Sequence, residues 1–500
     1  MQGMIDLKKI FESSEKVNIE VKAAQGGLPT SIWETYSSFA NTFGGVIILG
    51  IGEDLKSKRF LPLGVPEPQK IISDIWNVLN NKEKISTNVL LEHQVYSLDY
   101  EGHSYVVIEV PRADRHDKPV YIGPDMFSGS FKRNHEGDYH CTKEEVKAMI
   151  RDQSDTSCDA LVLDDVDLSV FNSDSIKSYR MKFKNAHENH VWNDYPNEDF
   201  LIKIGAAKIS EHDRKIHPTL AGLIFFGEYM SITDVLPNFF LDYREKMAKD
   251  TRWSDRVCSG DADWSGNVYD FYFRVIDKLT AGIKRPFRLD ENLARVDDTP
   301  LHKAVRECLA NALIHADYYG RRGIVVDKEF QKITISNPGT FRLDLNVAIE
   351  GGISDPRNAK IFNMFSLINI GERSGMGLCD VYNAFKESGY DRPQFSQTVD
   401  PDRIIITLFV GYESDVVRDN VRDNVRDNHL VFRDADSILN KTEEDVFGLI
   451  KEDASLTAKL ISSRLNVSPK TVERAIKKLK NFGYIKREGS DIKGTWKVLK

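Results

Sequence analysis

Polar and apolar residues alternate from Val17 to Lys22. Val17, Ile19 and Val21 share one face and Asn18, Glu20 and Lys22 the other, which predicts a strand. Ile32, Trp33, Tyr36, Phe39, Ala40 and Phe43 then recur at helical spacing, so an amphipathic helix is expected from Ser31 to Phe43, ended by Gly44-Gly45. Val46 to Ile51 is a continuous apolar run that suits a buried strand, and it delivers Gly52, Glu53 and Asp54 to a strand end, where sites on open sheets tend to lie. The same reading predicts a helix over Gln69 to Leu79 and strands over Val89 to Leu98, Tyr105 to Val110 and Phe131 to Arg133. A charged helix is expected over Lys143 to Asp152. Pro218 to Phe226 and Asn238 to Tyr243 read as strands, Val268 to Ile283 as a helix, and His212, Asp213 and His217 as surface residues.

A Glu and a Lys two apart on one strand face can serve a metal and a phosphate together, or can pair with each other; pairing is the simpler expectation. The longer pattern adds to this. Glu15, Glu20 and Lys22 as E-x4-E-x-K, FANTFGG from Phe39 to Gly45, and ILGIGED from Ile48 to Asp54 resemble the Schlafen/AlbA-like domain, here residues 1–155. The resemblance implies an α+β domain that binds nucleotide or nucleic acid, or a metal-dependent RNase whose acidic triad holds magnesium or manganese. Carried onto this chain, the triad is Glu15, Glu20 and Asp54, with Glu53 the rival for third place. Lys22 or Lys132 would steady the developing charge. RNA or single-stranded DNA is the implied partner, met by Lys132 and Arg133 in a Tyr/Phe-x-Arg element. Arg112, Arg115, Lys118, Lys132 and Arg133 could line a phosphate-binding cleft or belong to a solvated surface.

LHKAVRECLANALIHADY places Glu307, Asn311 and His315 four apart on one face of a helix expected from Leu301 to Ala316. Three polar groups aimed one way suit a ligand; hydrogen bonds to neighbouring loops are the alternative. ITISNPG, from Ile333 to Gly339, reads as a strand and turn, and Gly371, Gly375 and Gly377 form a cluster whose backbone N–H groups could approach a phosphate. Together these residues resemble the C-terminal domain of RecG-helicase-related ATPases, a divergent member of the gyrase/Hsp90/histidine-kinase/MutL (GHKL, Bergerat-type) ATP-binding fold. The resemblance implies ATP, with Asn311 helping to hold magnesium, Glu307 activating water in a hydrolytic enzyme, and His315, Asn337, Gly339 and the three glycines around the nucleotide. One departure is plain: Asn337 stands where ordinary members carry the Asp that reads the adenine amine. No G-x4-G-K-[ST] phosphate loop occurs, so no helicase motor is expected.

VRDN recurs at Val417, Val421 and Val425, where a charged linker is expected, a short oligomerising helix being the alternative reading of the same stretch. Beyond it, helices over Glu444 to Ile450 and Leu456 to Leu465 precede a third that Ser468 caps and Pro469 opens. Two strands with a turn at Glu488 to Asp491 complete a winged helix-turn-helix. Ser468, Lys470, Thr471, Arg474 and Lys477 lie in the first half of the third helix, where base edges and phosphates are reached. From Lys441 onward there are 14 Lys and Arg against 8 Asp and Glu, a local excess of about +6 on a chain of net charge −8. That balance suits duplex DNA at the tail and argues against nucleic acid coating the whole molecule.

Five hundred residues imply several domains. The expected arrangement is a multidomain α+β protein: the Schlafen/AlbA-like α+β domain, an α/β connecting region over 156–300, a GHKL-like α/β sandwich over 301–411, a linker over 412–440 and a winged helix over 441–500. Five scattered cysteines without a C-x-x-C pair suggest neither zinc nor a disulfide framework, and with no membrane-length apolar run or leader pattern the expectation is a soluble cytoplasmic protein. The three-part resemblance favours a DNA-binding transcriptional regulator that senses a nucleotide, a homo-oligomer with a role in stress or phage defence. The acidic triad alone favours an endonuclease acting on RNA or single-stranded DNA, and Glu307 an ATPase.

Overall fold

The computed structural model describes residues 7–11, 18–54, 59–247, 253–283, 299–371, 377–410, 441–452, 456–465, 467–481, 485–488 and 495–498. They fall into two units, residues 1–412 and 413–500. The first opens with a four-stranded sheet in the order Ile19–Lys22, Gly45–Leu49, His103–Val110, Val95–Tyr100. Its first two strands are parallel, and the helix Ile32–Asn41 makes the crossover that parallel pairing requires. Ile32, Tyr36, Phe39 and Ala40 of that helix are buried with Ile47 and Leu49 of the sheet.

The FANTFGG pattern has a steric cause. Gly44 has φ +75°, and a Cβ there would stand 2.9 Å from the backbone of Val110 and Arg112. A Cβ on Gly45 would fall 2.6 Å from the Phe39 ring. The apolar run beyond is not one strand. Gly50, at φ +102°, breaks it, and Ile51–Asp54 pairs instead with Arg59–Pro62 in a separate hairpin. Glu53 and Asp54 therefore stand in that hairpin rather than at the mouth of the central strand. The expected strand from Val89 begins only at Val95, behind a short turn at Glu92–Gln94.

The second sheet has six strands: Asp255–Cys258, Leu241–Lys246, Ile324–Glu329, Lys332–Pro338, Arg403–Phe409 and Gln394–Thr398. Leu241–Lys246 runs parallel to Ile324–Glu329, and the other pairs are antiparallel. The sheet thus draws strands from both sides of residue 300, and one apolar core extends from Phe171 to Val410. The helices Val268–Thr280 and Pro300–His315 pack together within it.

Pro218 to Phe226 is a correction. Leu220–Phe226 is a helix, not a strand, and every residue of it is buried. The Thr219 hydroxyl starts it by accepting from Gly222 N at 3.1 Å. A short run apolar on all sides reads alike for a buried helix and a buried strand. His217 is a second correction. Its ring is buried between Val166 O at 2.7 Å and Asp213 Oδ2 at 3.0 Å, while His212 and Asp213 are exposed.

The second unit contains helices Lys441–Glu452, Ala458–Leu465 and Pro469–Asn481 and the hairpin Ile485–Glu488 with Thr495–Val498. Val446, Ile450, Ile461, Val472, Ile476, Leu479 and Trp496 form its core, and the Trp496 indole donates to Leu456 O at 3.0 Å. The VRDN repeat lies outside the described residues. No described helix is long and apolar enough to cross a membrane.

Gly222 separates two physical expectations. Helix propensity favours Ala by about 1 kcal/mol, but a Cβ would lie 1.9 Å from Ala206 O. Gly222→Ala should lower the melting temperature, through a net loss of about 1–3 kcal/mol. An unchanged or raised melting temperature would contradict this packing.

Candidate nucleotide site and nucleic-acid interface

Glu20 points into protein. It is buried, with Oε1 2.7 Å from Lys22 Nζ and Oε2 3.0 Å from Arg133 Nη2. Arg133 also pairs with Asp138 at 3.0 Å and lies 5.1 Å over the Phe39 ring, and Asp138 accepts from the Thr35 hydroxyl at 2.7 Å. The strand's Glu and Lys therefore pair with each other, Glu20 buried and Lys22 half-buried. Glu15 and the Asp54 side chain lie outside the described residues, and Glu53 is exposed. Among the described residues no group of three His, Cys, Asp or Glu is arranged to hold a metal.

The five basic residues of the following region have internal partners rather than a shared cleft. Lys132 pairs with Glu145. Lys118 Nζ donates to Asn41 O at 2.6 Å, and burial, with Arg112 nearby, pushes its ammonium well below the usual lysine range. Arg112 donates to Phe341 O, and Arg115 pairs with Asp355 at 2.8 Å. Their sequence looks like a solvated loop because partners such as Asp355 for Arg115 and Phe341 O for Arg112 lie more than two hundred residues away.

The helix Pro300–His315 starts at Thr299, whose hydroxyl accepts from His302 N, with Pro300 in the first turn. Ala304, Val305, Cys308, Leu309 and Ala312 bury one side, leaving Glu307, Asn311 and His315 half-buried along another. Asn311 Nδ2 donates to Glu307 Oε1 at 3.1 Å. Gly377, the first residue of the helix Gly377–Glu387, is so close that a Cβ would meet Glu307 Oε1 at 2.5 Å. A carboxylate against a helix N-terminus is favourable. Gly371 lies over Ile314 and Phe362, and Gly375 is outside the described residues.

Asn337 is 1% exposed, and its Nδ2 has no hydrogen-bond partner. A buried unsatisfied amide costs about 1–3 kcal/mol, which a ligand could recover. Gly339 follows with φ +109°, and its N donates to Asp402 O at 3.1 Å. Burial, with Arg357 and Arg342 adjacent, lowers the His315 imidazole to about 4, so the ring is neutral at pH 7.

The chemistry of these side chains is compatible with a nucleotide. An Asn amide can accept from the adenine N6 amine and donate to a ring nitrogen beside it, whereas an ionised Asp can only accept. Asn311 would meet magnesium together with phosphate oxygens of the ligand. The sequence did not single out Asp317, Arg342 or Arg357, which line the far end of this region; they lack any regular spacing.

In the winged helix, Ser468 Oγ accepts from Thr471 N at 3.2 Å and lies 2.8 Å from the Thr471 hydroxyl. Ser468 and Arg474 are exposed while Val472, Ala475 and Ile476 are buried. The Lys470 and Lys477 side chains lie outside the described residues.

Four family models match the chain. Residues 4–156 match "Schlafen, AlbA_2" and residues 147–242 a domain of unknown function, DUF8451. Residues 324–408 match "Putative ATP-dependent DNA helicase recG C-terminal" and residues 439–486 "Winged helix-turn-helix DNA-binding". The chain is thus a multidomain α+β protein with a Schlafen/AlbA_2 N-domain, a RecG-like C-terminal ATPase domain and a winged helix-turn-helix, with DUF8451 between the first two. Among solved structures, it aligns with the DIP2311 protein of Corynebacterium diphtheriae at 16% identity and TM-score 0.40, over 98% of this chain and 96% of that one. It also aligns with the N-terminal domain of a putative ATP-dependent DNA helicase RecG-related protein of Nitrosomonas europaea. There the identity is 26% and the TM-score 0.22, over 27% of this chain and 90% of that one. No curated protein matches the chain.

Two half-buried groups near the candidate site give opposite pH dependence. His315 titrates near 6.5 when unfolded and about 4 when folded. Stability from its neutral ring is present above 6.5 and is lost as pH falls toward 4. Burial, with Glu145 beside it, raises the Asp402 carboxyl from 3.8 to about 6, so its contribution is present below 3.8 and is lost as pH rises through 6. Asp402→Asn should steepen the loss of stability between pH 6 and 4, and His315→Gln should reduce it. Melting curves of parent and variants that stay parallel across that window would refute both assignments.

Proposed function

We propose that the protein is a DNA-binding, nucleotide-responsive regulator. Its winged helix docks on duplex DNA, the RecG-like region binds a nucleotide such as ATP, and the Schlafen/AlbA_2 domain supplies a second contact with nucleic acid. The observation that carries the reading is the tail. The recognition helix buries an apolar face, keeps Ser468 and Arg474 exposed, and sits in a segment with an excess of about +6. Transcription is the process this arrangement suits, and stress or phage defence is a setting compatible with a Schlafen-type partner domain.

The nuclease reading is less well supported, because both Glu20 oxygens are engaged by Lys22 and Arg133. Removing Glu20 would leave a buried guanidinium short of a partner, so loss of an activity in Glu20→Ala would report folding as much as chemistry. The ATPase reading is favoured by one contact, the Glu307–Asn311 hydrogen bond beside Gly377, which holds a carboxylate one turn from an amide.

Full-length protein should bind duplex DNA with an affinity that falls steeply as salt rises. Arg474→Ala should weaken binding and reduce the log–log salt slope by about one. Binding that is absent or indifferent to salt would dispose of the tail's role. Millimolar ATP should raise the melting temperature of the intact chain, and Asn311→Ala should remove that rise. No rise in the parent would remove nucleotide from the proposal.

A further inference from the structure

The N-domain meets the candidate nucleotide region along a seam of arginines and aspartates. Arg357 is its centre. Buried to 8% exposure, it donates from Nε to His315 O at 3.1 Å and from Nη2 to Thr340 O at 2.8 Å, and its Nη1 pairs with Asp152. One guanidinium thereby holds three segments: the last turn of the Pro300–His315 helix, the loop after Asn337-Pro338-Gly339, and the last turn of the N-domain helix Lys143–Gln153. On either side Arg151 pairs with Asp317 at 2.9 Å and Arg115 with Asp355 at 2.8 Å. Arg151 also lies 4.8 Å over the Tyr319 ring, and Arg112 donates to Phe341 O.

The position of these contacts matters more than their number. Asp317 N donates to Pro338 O at 2.9 Å, so the acceptor for Arg151 is tied to the turn that carries Asn337. A Cβ on Gly339 would stand 3.2 Å from Arg357 Nη2 and 3.3 Å from Asp317 Cβ. The N-domain therefore grips the very backbone that a base at Asn337 would press upon. A guanidinium is planar with its donors in a fixed fork, so it cannot follow Thr340 and keep Asp152 unless both move together. In a buried place, losing one partner is strongly unfavourable, which makes the seam prefer discrete arrangements.

We infer that this seam couples nucleotide occupancy to the seating of the N-domain. A nucleotide held at Asn337 and Gly339 fixes the Thr340 and Asp317 backbone, which fixes Arg357 and Arg151 and with them the Lys143–Gln153 helix. By linkage, a well-seated N-domain tightens nucleotide binding by the same factor. This rests on the nucleotide reading above and goes beyond it by naming the route to the Schlafen/AlbA_2 domain.

Hydrogen exchange on the full chain, with and without millimolar ATP, tests it. In the parent, ATP should slow exchange in residues 333–345 and also in residues 143–153. In Arg151→Ala, whose side chain is 29% exposed in the parent and so tolerates removal, residues 333–345 should still be protected. Protection of 143–153 should then fall several-fold, and apparent ATP affinity should weaken by a similar factor. Protection of 333–345 with 143–153 unchanged in the parent would overturn the coupling and leave the nucleotide reading standing. Equal protection of 143–153 in parent and variant would overturn this route. No change in either segment would overturn the nucleotide reading and the coupling with it.

Discussion

A buried guanidinium has five N–H donors and no way to shed its charge, so the chain around it must supply acceptors. Two such groups organise the first unit. Arg133 gathers Glu20 and Asp138 beneath the Phe39 ring and closes the N-domain around its crossover helix. Arg357 gathers His315 O, Thr340 O and Asp152 and joins that domain to the next. Each draws acceptors from segments far apart in the chain, so neither can be satisfied until distant parts have come together. Such pairs add little net stability over an apolar substitute, but they penalise any arrangement that separates the partners.

Local patterning made some of this legible. Gly44-Gly45 marked a helix end, and the helix Ile32–Asn41 stops just before it. The four-residue spacing of Glu307, Asn311 and His315 did place them along one side of one helix, with the first two hydrogen-bonded. Ser468-Pro469 marked the start of the third helix of the tail. These signals rest on neighbours within a turn or two, which is the range a sequence pattern covers.

What failed to show did so for physical reasons. Leu220 to Phe226 carries no periodicity because every side is buried, so Thr219 was its only cue to a helix. Glu20 and Arg133 looked available to a ligand because charge in a sequence says nothing about partners distant in the chain. The break at Gly50 moved Glu53 and Asp54 into a side hairpin. The aspartates that hold Arg115 and Arg151 have no spacing to notice; only the folded chain juxtaposes them.

The six-stranded sheet carries a practical corollary. Its parallel pair, Leu241–Lys246 beside Ile324–Glu329, joins stretches that a boundary drawn at residue 300 would sever. A fragment beginning there would lack two strands, leaving Ile324–Glu329 with a bare row of N–H and C=O groups where Leu241–Lys246 had lain, a template for unwanted assembly. The RecG-like segment is therefore not a portable cassette: whatever it binds, it must be handled as one body with the stretch that precedes it.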